Sequence, residues 1–188
     1  MQPSRIRHHS VIIFLLSFLL FSPDDKSAKA QFSADKIEVR VGKGWSITTP
    51  GLRSVYLSVP SRRLDEISSS VNLYLNQSVT LIEQHRHVEY IVGAAPMVLF
   101  ELGIDFPRVS FEAGVGANYI SIREIDGRRL GSNFLFSPTF SAGIEVPWLS
   151  NVIGVHYSFR HLSNAGLFED NDGVNFQYII FSMTFGSF

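Results

Sequence analysis

No cysteine occurs in the 188-residue chain. That excludes disulfides, thiolate metal sites and a lipid anchor on an N-terminal cysteine. Long hydrophobic runs are also scarce. The apolar run Val11–Phe21 has 11 residues, against the ~20 that a spanning helix needs. No later segment could cross a bilayer as a helix. Charge is sparse and balanced: charged residues make up 18% of the chain, and the formal net charge is −1. Residues 31–188 carry 12 basic and 15 acidic side chains. Nothing in that balance points to a nucleic-acid partner.

The N-terminus does carry a recognisable signal. Arg5 and Arg7 precede the short apolar run, and Ala28-Lys29-Ala30 places small residues where a signal peptidase needs them. This predicts a secretory signal peptide over 1–30 and a mature domain over 31–188. Export without disulfides suits a bacterial envelope protein.

From residue 36 onward the sequence alternates with period two, the signal of strands. Phe111, Ala113, Val115, Ala117 and Tyr119 share one face, while Ser110, Glu112, Gly114, Gly116 and Asn118 share the other. Eight strands are expected, over about 36–47, 52–59, 70–82, 87–103, 109–121, 134–146, 151–162 and 174–187. Pro96 and Pro138 count against two of them, because proline cannot donate to a ladder. The stretch from Pro60 to Ser69 reads as a helical turn or a bent strand end. The loop near 122–133 is long and charged, and Pro147-Trp148-Leu149-Ser150 is a short turn. That asymmetry, with Phe176 to Phe188 as an aromatic terminal strand, predicts an all-β, eight-stranded antiparallel transmembrane barrel of the outer-membrane type. A soluble lipid-binding barrel is the structural alternative, since one apolar face can also fill a soluble core.

The chemistry-bearing residues gather between strands seven and eight. His161 and Ser163 continue the apolar series Ile153, Val155, Tyr157, Phe159, and Asn175 continues the series Ile179, Phe181, Met183, Phe185. All three therefore fall on the lipid-facing side near the outer rim. Polar groups are disfavoured there, by roughly 0–1 kcal/mol even for charged residues near the interface. A rim tolerates such groups but gives no reason for three to cluster. A serine nucleophile needs a base to take its proton, and the base needs a partner on its second nitrogen. On a strand, residues two apart point the same way, about 6.5–7 Å apart at the backbone. The plain alternative is a strand end running into an Asn/Gly-rich turn.

The run Arg160-His161-Leu162-Ser163-Asn164-Ala165-Gly166 with Asn171-Asp172-Gly173 resembles the signature of the lipid A 3-O-deacylase (PagL) family of outer-membrane barrel esterases. The resemblance implies a serine esterase acting on the 3-position acyl ester of lipid A, with His161 as general base and Ser163 as nucleophile. It also implies Asn171 in the oxyanion hole, and Asn164 and Gly173 in support. The family pattern has a glutamate where this chain has Asn175, which could orient His161 through its amide oxygen but cannot supply charge. Glu169, Asp170 and Asp172 are the other candidates to act on His161. A decayed, non-catalytic barrel is the competing reading. No metal or cofactor is expected. The expected partner is lipopolysaccharide in the outer leaflet, and a homodimer stays open. His85, His87, Glu83 and Glu89 are weak metal candidates. Arg123, Arg128 and Arg129 are candidates for lipid phosphate contacts, and Tyr119, Trp148 and Tyr157 for interfacial aromatic belts.

Overall fold

The computed structural model describes residues 37–68, 70–102 and 106–185, and of 61–68 the backbone only. The expected leader over 1–30 and the terminal Phe188 lie outside these residues. The strands are β1 (Ile37–Ser46), β2 (Arg53–Ser68), β3 (Val71–Gln84), β4 (His87–Leu102), β5 (Arg108–Ile120), the two-residue β6 (Glu124–Ile125) and β7 (Arg128–Arg129), β8 (Phe134–Trp148), β9 (Asn151–Leu162) and β10 (Val174–Phe185). Eight of them form a closed antiparallel barrel in the order β1-β10-β9-β8-β5-β4-β3-β2, and β6 and β7 form a separate hairpin. Closure runs from the pair Ile37↔Phe185 to Ser46↔Phe176. Each strand thus pairs on both sides, and no edge is left to satisfy.

The expected strand order and boundaries hold to within a few residues, with one exception. β2 does not end near residue 59. It continues through Pro60 to Ser68, with register shifts against β3 between Pro60 and Arg63, Arg63 and Asp65, and Glu66 and Ser68. A proline without an N–H, followed by repeated bulges, bends this strand without breaking it. The other two prolines also leave marks. The β4–β5 ladder passes from Ala94↔Ala117 to Met97↔Gly114, skipping Ala95 and Pro96. The β8–β9 ladder stops at Thr139↔Arg160, one residue from Pro138, and resumes as a single bridge, Phe136↔Ser163.

The apolar face points outward. Val41, Val55, Val115, Phe140, Ile144, Val155 and Phe181 are all exposed on the barrel wall. Tyr119, Trp148 and Tyr157 are exposed on the same face. A soluble barrel would place these residues inside.

The inward face is not uniformly like the polar and small series Ser110, Glu112, Gly114, Gly116 and Asn118 of β5. The end of the lumen under the long loops is apolar: Ile82, Ile91, Ile120, Leu135, Leu162, Val174 and Phe176 are nearly inaccessible. Ile125 and Leu130, from the β6–β7 segment, join this cluster at 0% exposure. The loop between β5 and β8 therefore plugs the barrel mouth. The other end is polar. Arg40 donates to both carboxylate oxygens of Glu112 at 2.7 Å each and to Glu38 at 2.6 Å. Space in the lumen is tight: a Cβ at Gly114 would run into the Pro96 carbonyl and the Met97 sulfur. The interior is filled, as in other eight-stranded barrels.

Glu112→Ala would leave the buried Arg40 with a single carboxylate partner. Breaking a buried pair on one side should cost about 3 kcal/mol, whereas replacing both members by apolar groups is often neutral. Urea titration of the folded barrel, followed by its migration on unheated gels, should show a lower midpoint for Glu112→Ala. The double variant Arg40→Met/Glu112→Leu should recover most of that loss.

Candidate active site

β9 leaves the sheet where its neighbour fails to bond. Between the pairs Thr139↔Arg160 and Phe136↔Ser163, Pro138 falls opposite His161. It has no N–H to offer the His161 carbonyl. Ser163 is then held once more, its N–H donating to Phe136 at 3.1 Å and its carbonyl accepting from Phe136 at 2.7 Å. On the other side His161 pairs directly with Asn175 of β10. Arg160 and Leu162 are buried inward, so His161 and Ser163 face out.

His161, Ser163 and Asn175 thus share the outward face at the loop end of the barrel, as alternation predicted. His161 Nδ1 and Asn175 Oδ1 are 2.6 Å apart. An amide oxygen can only accept, so Nδ1 carries a proton, and Nε2 is the bare nitrogen of the neutral ring. Asn175 is itself anchored: its N–H donates to Thr48 Oγ1 at 3.1 Å and its carbonyl accepts from Ile47 N at 3.1 Å. Ser163 Oγ has no hydrogen-bond partner among the described residues.

After Ser163 the chain turns sharply through Ala165 (φ 55°) and Gly166 (φ 77°). Asn164 organises this turn. Its side chain is fully buried, donates to the Leu130 carbonyl at 3.0 Å and the Asp170 carbonyl at 2.7 Å, and accepts from Gly166 N at 2.9 Å. Its own N–H donates to Asn171 Oδ1 at 2.9 Å. That bond fixes the Asn171 amide and leaves its Nδ2 free to donate elsewhere. Ser163, Asn164 and Gly166 all spend their N–H groups on protein acceptors, while Ala165 N–H has none among the described residues.

Gly173 packs against the ring of His161. A Cβ there would lie 2.8 Å from His161 Cε1, and φ is +59°. Glycine is needed on both counts.

The loop acids do not reach His161. Asp170 pairs with Arg129 at 3.3 Å, and Asp172 Oδ2 accepts from Arg129 N at 2.7 Å. Glu169 is exposed. The loop arginines are likewise committed within the protein: Arg123 donates to Asn133 at 2.7 Å, and Arg128 Nε to the Gly173 carbonyl at 2.6 Å. The sequence marked Arg128 only as a candidate for lipid phosphates and did not mark Thr48 at all, since neither observed contact follows from strand parity. Among the described residues, His85, His87, Glu83 and Glu89 do not converge: Glu89 accepts from Ser121 at 2.6 Å, and His85 faces Asp126 at 4.0 Å. Glu38, Glu145 and His156 do bring ligand atoms within 4.8 Å of one another inside the lumen. Glu38 there already accepts from Arg40 Nε at 2.6 Å.

A family model of the lipid A 3-O-deacylases (PagL) matches residues 43–184, which include every residue of this cluster. The chain belongs to the lipid A 3-O-deacylase (PagL) family. It is a membrane barrel of the outer-membrane type. Two curated members share local identity with it. The lipid A deacylase PagL of Bordetella bronchiseptica is 36% identical over 93 residues, 50% of this chain and 49% of that protein. The lipid A deacylase PagL of Pseudomonas aeruginosa is 32% identical over 86 residues, 46% of this chain and 48% of that protein. The matched region spans about half the length of each of these relatives. The fold is similar to the crystal structure of the outer membrane enzyme PagL, with a TM-score of 0.63 at 22% identity, covering 77% of this chain and 97% of that one. The homodimer left open by the sequence gains no support from the barrel or these likenesses.

Asn164→Ala would strip two carbonyls and one N–H of their partner, at about 1–3 kcal/mol for each group left buried and unsatisfied. The effect should stay local. Limited proteolysis should nick the 164–172 loop at least several-fold faster, while the barrel keeps its heat-modifiable migration.

Proposed function

We propose that this chain is an outer-membrane serine esterase that removes the ester-linked acyl chain from the 3-position of lipid A. The observation that carries the reading is the His161 Nδ1–Asn175 Oδ1 contact of 2.6 Å on the lipid-facing wall, with Ser163 two residues along the same face. Family membership supplies the substrate, since the relatives are named for lipid A deacylation.

In this reading His161 Nε2 takes the Ser163 hydroxyl proton as Oγ attacks the ester carbonyl. The tetrahedral oxyanion accepts hydrogen bonds from Asn171 Nδ2 and the Ala165 N–H, donors on the turns beside Ser163 that have no acceptor among the described residues. Collapse breaks the bond to the sugar oxygen, which leaves with the proton held by His161. Water then attacks the acyl-Ser163 ester, with His161 again as base, and the fatty acid departs. Asn175 keeps the tautomer with Nε2 bare throughout. No step calls for a metal or cofactor. An acyl chain already in the outer leaflet can reach Ser163 laterally, with no passage through a lumen too narrow to hold it.

Two measurements test this. Mass spectrometry of lipid A from cells expressing wild type should show loss of one 3-linked acyl chain, and Ser163→Ala should abolish that loss. If wild type removes no chain, the barrel is non-catalytic and the reading fails. Asn175→Glu should raise the rate by about tenfold or more, because a carboxylate also stabilises the imidazolium that forms during attack; the reverse acid-to-amide change in a serine protease costs ~10⁴.

A further inference from the structure

The turn 170–173 carries Asn171 and Gly173, yet it belongs to no strand, because β10 begins at Val174. Asn164 holds its first two residues, and the β6–β7 hairpin from another loop holds its last two. Arg128 Nε donates to the Gly173 carbonyl at 2.6 Å, and its Nη2 donates to the Asp172 carbonyl. Asp172 N donates to the Arg129 carbonyl at 2.9 Å, and Asp172 Oδ2 accepts from Arg129 N at 2.7 Å. The hairpin is itself fixed: Ile125 and Leu130 are buried in the barrel mouth, and Leu130 N donates to the Arg123 carbonyl at 2.8 Å.

Arg128 therefore acts at one remove from the chemistry. The Gly173 carbonyl belongs to the peptide group that opens β10 toward Asn175, and the His161 ring fills the space that a Cβ at Gly173 would take. Two adjacent carbonyls met by one planar fork fix that peptide in both position and tilt. A lysine ammonium is a point donor on a flexible stem and would hold them without the fixed spacing of the fork.

We propose that Arg128 is a positioning residue: its guanidinium clamps the 172–173 carbonyls so that the His161 ring and the Asn171 amide keep the geometry needed for attack at Ser163. The proposal rests on the esterase reading of that site. It adds a function for the loop between β5 and β8, which becomes a wall of the site as well as the plug of the barrel.

The test uses the mature barrel in detergent, with lipid A in mixed micelles as substrate. Arg128→Ala should lower kcat about 10- to 100-fold with KM within about twofold, as expected when reacting groups are misplaced by around 1 Å. Arg128→Lys should recover part of kcat, and added guanidinium should restore part of it in Arg128→Ala alone. Glu124→Ala, on the exposed side of the same hairpin, should behave as wild type. A kcat within about twofold of wild type for folded Arg128→Ala, or a loss that guanidinium and lysine leave untouched, overturns the proposal. A readout independent of turnover separates the two claims. The His161 ring ¹⁵N resonances, assigned with His161→Gln, should shift in Arg128→Ala. If they shift while wild type shows no deacylation, the esterase reading falls and the clamp stands. If wild type is active and both kcat and the resonances are unchanged, the clamp falls and the esterase reading stands.

Discussion

Everything in this molecule follows from one constraint: a sheet in lipid must close on itself, because an unpaired backbone N–H or C=O in hydrocarbon costs several kcal/mol. Closure joins β1 to β10. Once the sheet is a cylinder, strict alternation sorts every side chain in or out. The outward set must be apolar, and the inward set must fill a space too narrow to stay empty. The buried Arg40–Glu112 pair and the apolar plug around Ile125 and Leu130 are two ways of filling it. Both leave the lumen closed to a lipid-sized molecule. Any reaction on a lipid must therefore happen on the outer wall or at the rim.

The rim is also where the sheet can give up hydrogen bonds. Pro138 interrupts the β8–β9 ladder beside His161, and the chain then turns away through left-handed residues at Ala165 and Gly166. Water and headgroups can solvate what the ladder no longer pairs, so a polar cluster at this height is tolerated where the same cluster at the midplane would not be. The site thus sits where the wall is still ordered enough to hold His161 against Asn175, and no longer has to be apolar.

Strand order, outward face and the shared side of His161, Ser163 and Asn175 were legible because period-two alternation is a local property of the chain. Following parity from Phe159 to His161, and from Gln177 back to Asn175, needs no knowledge of the fold beyond a strand. The continuation of β2 past Pro60 was legible only as one of two readings, a bent strand end beside a helical turn, because bulges erase the alternation that would announce a strand. The apolar barrel mouth was not legible for a different reason: parity can put Ile82, Ile91 and Leu162 inward but carries no information on how high they stand in the barrel. The grip of the β6–β7 hairpin on 172–173 was beyond reach altogether. Arg128 reaches backbone carbonyls more than forty positions away in the chain, and a carbonyl carries no sequence signal.

Asn175 shows how the constraint reaches into the chemistry. A carboxylate at this position would have to keep its charge on a lipid-facing wall; an amide offers the same accepting oxygen with no charge to solvate. Orientation of His161 survives the exchange, because Nδ1 needs only an acceptor. What is lost is the counter-charge for the imidazolium that forms when Ser163 attacks. The acids that could replace it are spoken for, Asp170 by the Arg129 side chain and Asp172 by the Arg129 backbone. In the esterase reading the imidazolium must then be balanced by the oxyanion it creates, a pairing that gains strength as the bound acyl chain displaces water and the local dielectric falls. Catalysis would depend on how well Asn171 and the Ala165 amide hold that oxyanion close to His161, and so on the rigidity of the two turns that carry them.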